Sequence, residues 1–219
     1  ACHSMNMVAF RNLGDAGGPF FDPKHPNPNE NPVVKAIAKD IQIADIDDTG
    51  QPDKRPGTAA DRFPAPFPNE AAARASNGGA LPPDMSLLAK AREGGPDYIH
   101  AIVTGYREPP AGLTVPAGKY YNPYLPGDLT SFWRGKGEAP EGGFISMPPP
   151  LKAGQVTFDD GTPSTLNQEA TDVAAFLAWA SDPKLEERNQ TGLSVMIFLL
   201  IFTGLLYATY RQVWRNVAH

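Results

Sequence analysis

GLSVMIFLLIFTGLLYATY, residues 192–210, is a run of nineteen residues without a charge. As an α-helix it would rise about 28 Å, close to the ~30 Å hydrocarbon thickness of a bilayer. A buried core helix is the alternative, but such helices usually carry shorter apolar runs. The stretch therefore predicts a single membrane-spanning helix near the C-terminal end of the chain.

The sequence on either side of this apolar span sets its expected orientation. RQVWRNVAH, residues 211–219, contains two arginines and no acidic residue, and short basic flanks are retained on the cytoplasmic side of a membrane. We therefore expect 211–219 to be a cytoplasmic tail and 183–210 to be one helix that leads into and spans the membrane. Residues 1–182 are then expected to form a domain on the periplasmic side.

Composition limits the class of this domain. The chain has 219 residues, of which 21 are glycine, 24 are proline and one is cysteine. This glycine and proline content is well above average usage and indicates long irregular loops rather than a parallel α/β sheet. With 19 basic and 24 acidic residues the formal net charge is −5, which argues against nucleic-acid binding because that needs a basic surface. The single cysteine excludes a disulfide framework and a four-cysteine metal site within the chain.

Capping residues and glycine stops predict a mostly α-helical domain of short helices. The predicted starts are Asn31-Pro32 before VVKAIAKDIQ, Asn69 before EAAARAS, Asp84 before MSLLAKARE, Pro96 before DYIHAIVT, and Thr165 before EATDVAAFLAWAS. Residues 108–150 are rich in glycine and proline and are predicted to be a long loop with few strands. After Asp182-Pro183 a further helix is expected to run without a break into the membrane.

Two separate segments carry residues that could hold a metal cofactor. Cys2-His3 reads as the end of C-x-x-C-H, the c-type haem attachment motif, in which the cysteine bonds the porphyrin and the histidine ligates the iron. A solvent-exposed pair at a chain end is the alternative. Met147 lies before three prolines, where a stiff backbone could present its sulfur to iron, although it could equally pack against the domain. A His/Met pair favours electron transfer by haem.

Several longer motifs resemble the cytochrome c1 family over essentially the whole chain. They are ACHSM at 1–5, NGGALPPDMSL at 77–87, KAREGGPDY at 90–98, TGYREPP at 104–110, YNPY at 121–124, SMPPPL at 146–151, FDDGTP at 158–163 and DVAAFLAWA at 172–180. The resemblance implies a class I cytochrome c-like haem domain with long loops and one C-terminal anchor. It also implies one covalently bound haem c.

The resemblance implies a function within a larger complex. Cytochrome c1 is the haem subunit of the quinol–cytochrome c oxidoreductase, or bc1 complex, and passes electrons from the Rieske iron–sulfur protein to cytochrome c. Expected partners are therefore cytochrome b, the Rieske protein, cytochrome c and the lipid bilayer, in a dimeric complex. As its redox subunit, the chain is not expected to carry a catalytic site of its own.

The same resemblance assigns roles to individual residues. Cys2 is expected to bond the haem, His3 to be the proximal ligand, and Met147 to be the distal ligand. Arg92 is expected to face a haem propionate. The remaining pocket positions implied by the motifs are Asn77, Leu81, Pro83 and Tyr98.

The sequence departs from the family pattern in two places. The first cysteine of the haem motif would stand three positions before Cys2, and we expect it to lie upstream of Ala1. Residues 127–143, GDLTSFWRGKGEAPEGG, look like an insertion relative to mitochondrial members. This favours a bacterial inner membrane.

Two points are left open by the sequence. Asp40, Asp45, Asp47 and Asp48 form a group of acids that could steer a basic cytochrome c or could simply be a solvated face. The chain could also be a free-standing, membrane-anchored c-type carrier between complexes, or an anchored scaffold without haem.

Overall fold

The computed structural model describes residues 2–216, and their regular secondary structure is mainly α-helical, as predicted. Within that range the helices are α1 Pro32–Lys39, α2 Glu70–Ser76, α3 Leu88–Ala91, α4 Gly95–Thr104, α5 Leu166–Ser181 and α6 Leu185–Trp214. Two short 3-10 helices cover Phe10–Gly14 and Thr130–Phe132. The chain divides into two compact units, residues 1–183 and residues 184–219.

The predicted helix starts follow from side chains that cap the first turn. Asn31 accepts hydrogen bonds from the backbone N–H groups of Val33 and Val34, at 2.9 and 3.2 Å. Asn69 and Thr165 cap α2 and α5 in the same way. These side chains satisfy amides that a helix leaves without an intrahelical partner, so the start of each helix is a local property of the sequence.

The helix predicted after Asp84 is much shorter than expected, and this extent was wrong. The Asp84 Oδ1 atom accepts a hydrogen bond from the Ser86 amide at 2.8 Å, while Oδ2 accepts from Ser4 and Asn6 near the N-terminus. The carboxylate therefore serves a turn and a long-range contact, and the helix begins only at Leu88.

Two antiparallel β-hairpins interrupt the loops. Strands β1 Gln42–Ile46 and β2 Pro52–Pro56 pair with each other, so the helix predicted to extend to Gln42 ends at Lys39 instead. Strands β3 Tyr120–Asn122 and β4 Gly143–Ile145 pair across the long loop. The second hairpin agrees with the few strands predicted for residues 108–150, whereas the first was not predicted.

Three apolar clusters form the core of residues 2–183. The second cluster matters most for the site, because it joins the N-terminal segment to three helices. Its buried members are Ala89 of α3, Ile99 of α4, and Ala174 and Leu177 of α5, with Met5, Met85, Leu88, Val173 and Phe176 packed around them. The N-terminal segment is therefore fixed against α4 and α5.

Helix α6 is long and apolar enough to cross a membrane. It has 30 residues, with a mean hydropathy of 2.1 over its most apolar stretch, and no residue of that stretch is buried by the rest of the chain. At 1.5 Å per residue the helix is about 45 Å long. Of the predicted tail at 211–219, residues 217–219 lie outside the described part of the chain.

Candidate functional site

The side chain of His3 is oriented by a residue eighty positions away. Its Nδ1 atom lies 2.8 Å from the backbone carbonyl oxygen of Pro83. A carbonyl can only accept, so this contact makes Nδ1 the donor, and in the neutral ring Nε2 is then the nitrogen with a free lone pair. Metal-binding histidines are commonly held in this way, with one ring nitrogen fixed by a carbonyl and the other available to the metal.

The backbone around His3 is tied to the same segment by further hydrogen bonds. The Met85 amide donates to the Ser4 carbonyl at 2.8 Å. The Asp84 carboxylate accepts from the Ser4 hydroxyl and the Asn6 amide, both at 2.8 Å. Partial burial raises the pKa of Asp84, but hydrogen bonds from Asn6, Ser86 and Ser4 together outweigh it and hold the pKa below its usual value. The segment that carries the histidine is thus held against residues 83–85 by hydrogen bonds within the protein.

Met147 lies two residues after strand β4 ends at Ile145 and is held through its backbone. The Tyr106 hydroxyl donates to the Met147 carbonyl oxygen at 3.0 Å. The neighbouring Ser146 hydroxyl lies 2.5 Å from the Lys119 Nζ atom. Since these contacts use the backbone of Met147 and the side chain of its neighbour, the thioether takes part in neither of them.

A buried asparagine connects this region to helix α4. The side chain of Asn122 has no exposed surface; its amide donates to the Ile102 carbonyl at 2.8 Å, and its oxygen accepts from the Tyr124 amide at 3.0 Å. Gly142 has φ +114°, and a Cβ there would lie 2.6 Å from the Asn122 carbonyl oxygen. The close approach of β3 and β4 before Met147 therefore requires glycine at this position.

The other predicted site residues have separate local contacts. Asn77 ends α2, and its side-chain amide donates to the Ala73 carbonyl at 2.7 Å. Arg92 is exposed at the end of α3 and donates to the Ala91 carbonyl at 3.2 Å. Cys2 is exposed, while Leu81 and Tyr98 are half-buried. Of the predicted set, these contacts join His3 to Pro83, whereas Asn77 and Arg92 bond within their own helices.

Sequence reasoning missed the residues that hold the two ligand segments. Tyr106, Asp84 and Asn122 all lie within the quoted motifs, but nothing local marks them as anchors. Each makes at least one hydrogen bond to a residue twenty or more positions away. The only sequence signal for these three residues was a polar side chain in a segment rich in glycine and proline.

Comparison with known proteins identifies the family. A sequence model of the cytochrome C1 family matches residues 1–217. The chain belongs to the cytochrome c1 family. It is 43% identical to cytochrome b/c1 of Bradyrhizobium diazoefficiens over 99% of this chain. It is 46% identical to the mitochondrial cytochrome c1, heme protein, of Kluyveromyces lactis over 91% of this chain. It is 40% identical to cytochrome c1 of Rhodospirillum rubrum over 100% of this chain.

The chain does not cover the full length of these relatives. It spans 31% of the Bradyrhizobium protein, 60% of the Kluyveromyces protein and 77% of the Rhodospirillum protein. The match nevertheless confirms the family resemblance drawn from the motifs. The Kluyveromyces lactis relative is named a heme protein, which agrees with the haem expected from the motifs.

The described residues fit such a cofactor. A haem that transfers electrons without binding oxygen has one protein ligand on each face of its iron, and c-type attachment needs an accessible thiol. His3 has Nε2 left open by its contact with Pro83, Met147 follows a fixed hairpin, and Cys2 is exposed. Within residues 2–216, no group of three or more His, Cys, Asp and Glu side chains is arranged to hold a metal ion in a different way.

Proposed function

We propose that this protein is the membrane-anchored c-type haem subunit of a bc1 complex, passing electrons from the Rieske iron–sulfur protein to cytochrome c. The observation that carries the proposal is the orientation of His3 by the Pro83 carbonyl, in a chain that belongs to the cytochrome c1 family. The bound haem supplies one-electron redox chemistry. The protein's own residues hold it, set its potential and limit its access to water.

We assign the ligand roles to three residues. Cys2 would hold the porphyrin through a thioether, and His3 Nε2 and the Met147 sulfur would be the proximal and distal ligands of its iron. A histidine and thioether pair would raise the reduction potential of the haem iron and leave no position open to oxygen. This pair therefore suits electron transfer rather than oxygen chemistry.

The remaining site residues are assigned to the pocket wall. Arg92 is exposed at the end of α3 and would pair with a haem propionate. A guanidinium can bind a carboxylate through two parallel hydrogen bonds. Leu81 and Tyr98 are half-buried and supply apolar surface. Asn77 and Pro83 complete the wall.

The partners and the membrane topology are part of the same proposal. The relative named cytochrome b/c1 supports assembly with cytochrome b, and helix α6 would pack beside it in a bacterial inner membrane. Residues 1–182 would then lie in the periplasm with the haem, residues 183–210 would lead into and cross the bilayer, and residues 211–219 would be cytoplasmic. Co-purification of the chain with cytochrome b and a Rieske protein tests this assembly against a free-standing carrier.

The ligand assignment is tested by Met147→Leu. Leucine keeps the apolar volume but cannot ligate iron, so the haem should stay attached through Cys2 while its midpoint potential falls. We expect a fall of about 0.1–0.3 V, within the roughly 0.8 V range that axial ligands span. Redox titration of the visible spectrum measures this shift.

Met85→Leu is the matched control. Met85 packs half-buried in the second apolar cluster, so its replacement changes one methionine without touching the proposed ligand. The potential of this variant should stay near that of the parent. An unchanged potential in Met147→Leu, or equal shifts in both variants, would show that the ligand assignment is wrong.

A further inference from the structure

Tyr106 makes a long-range hydrogen bond to the backbone of the proposed distal ligand. It lies two residues after α4 ends at Thr104, and its hydroxyl donates to the Met147 carbonyl at 3.0 Å, across 41 positions of sequence. Its ring packs edge-on against Tyr120, with ring centroids 6.3 Å apart. The ring is thus fixed by strand β3, and the hydroxyl is aimed at one carbonyl.

The sequence after Met147 cannot provide the same restraint. Residues 148–150 are all proline, and proline has no backbone N–H to donate. The residues before Met147 are held by the β3–β4 pairing and by the Lys119–Ser146 contact. Met147 lies between this held segment and the prolines, and Tyr106 binds its carbonyl oxygen.

We propose that Tyr106 is a positioning residue that fixes the backbone of Met147 and so keeps its sulfur on the haem iron. This inference rests on the proposed function, in which Met147 is the distal ligand. Tyr106 touches neither the sulfur nor the iron in this role. Its loss should not remove the ligand but should make the ligand easier to displace.

The chain offers a matched control for a purely structural effect. The hydroxyl of Tyr121, the next residue after Tyr120, donates to the Glu141 carbonyl at 2.7 Å. This bond is chemically the same as that of Tyr106, but it joins strand β3 to the residues before β4 and ends six residues before Met147. Tyr106→Phe and Tyr121→Phe each remove one hydroxyl and keep the ring, so both variants should fold.

The test measures imidazole binding to the oxidised, haem-loaded full chain in its membrane. Imidazole competes with a weakly held methionine for ferric iron. Loss of a neutral hydrogen bond should strengthen imidazole binding by roughly two- to tenfold in Tyr106→Phe, with a smaller fall in midpoint potential than in Met147→Leu. Tyr121→Phe should leave imidazole binding within twofold of the parent. Equal changes in both tyrosine variants, or no change in Tyr106→Phe, would overturn the proposal.

Met147→Leu separates this inference from the function on which it rests. If that variant alters the potential and imidazole binding while Tyr106→Phe alters neither, the positioning role fails and the ligand assignment stands. If Met147→Leu alters neither quantity, both fail together. Amide hydrogen exchange of residues 143–147 gives a second measurement, and it should be faster in Tyr106→Phe than in the parent; unchanged exchange there would also contradict the proposal.

Discussion

At the scale of single residues, the site depends on polar side chains that each satisfy distant backbone groups. The fully buried Asn122 is the clearest case, because both ends of its amide are used. It holds the last turn of α4, through the Ile102 carbonyl, against the strand that pairs with β4. A buried carbonyl that loses its donor retains the full cost of leaving water.

Replacing Asn122 with alanine should therefore destabilise the domain. We expect Asn122→Ala to lower the free energy of unfolding by about 1–3 kcal/mol, since the Ile102 carbonyl would stay buried without its partner. Chemical denaturation of the haem-loaded protein measures the loss. Asn29→Ala, at an exposed turn, should change stability by less than about 0.5 kcal/mol, and equal effects of the two substitutions would contradict the role given to Asn122.

At the scale of elements, the β1–β2 hairpin is fixed to the domain by one arginine. The Arg55 guanidinium contacts Asp61 through both terminal nitrogens, each at 2.7 Å, and Asp45 through Nε, also at 2.7 Å. Hydrogen bonds from Arg55 hold the pKa of Asp61 well below its usual value, against the opposing effect of desolvation and with help from Thr58. The ion pair between Arg55 and Asp61 thus ties the hairpin to the segment that follows it.

The Asp61 interaction predicts a specific dependence of stability on pH. A carboxyl whose pKa is lower in the folded protein stabilises it above the ordinary pKa of about 3.9, and this stabilisation is lost as the pH falls from there toward the folded value. Asp61→Asn should therefore lower the melting temperature at pH 7, and the difference from the parent should shrink below about pH 4. Melting curves at pH 7 and pH 3 measure this.

A control acid on the same hairpin makes this test specific. Asp48 is exposed in the turn between β1 and β2. Asp48→Asn should leave the melting temperature close to that of the parent at both pH values. A constant difference between Asp61→Asn and the parent across the pH range would argue against the ion pair as its cause.

At the scale of the whole molecule, acidic charge is concentrated before the membrane span. Residues 1–191 contain 17 basic and 24 acidic residues, a formal net charge of −7. Of the four acids at 40–48, Asp45 is paired with Arg55, and the Asp47 carboxylate accepts hydrogen bonds from Thr49 and Gln51 in the turn. The group of acids therefore has partly structural roles, and any steering of a partner would come from the overall charge.

This charge predicts a strong effect of salt on electron transfer. If a basic cytochrome c is the acceptor, its reduction by the assembled protein should slow by roughly tenfold or more between low and high salt, because electrostatic steering is screened. Stopped-flow measurements over a NaCl series test this, with sucrose at matched viscosity as the control. A flat salt profile would contradict steering by the acidic domain.

Some features were determined by the sequence because they depend on neighbouring residues only. The apolar run at 192–210 predicts a membrane span by its length alone, Asn31 and Thr165 cap the helices that follow them, and Cys2 and His3 are adjacent in a recognisable motif. Each of these involves contacts within a few positions, so no knowledge of the fold is needed.

Other features were decided only by the tertiary structure. Pro83 orients His3 across 80 positions, Tyr106 holds Met147 across 41, and Asp84 binds the N-terminal segment instead of starting a long helix. These contacts form only when helices and hairpins pack together and leave particular carbonyls and amides in need of a partner. The sequence therefore named the ligand candidates, while packing between distant segments decided how they are held.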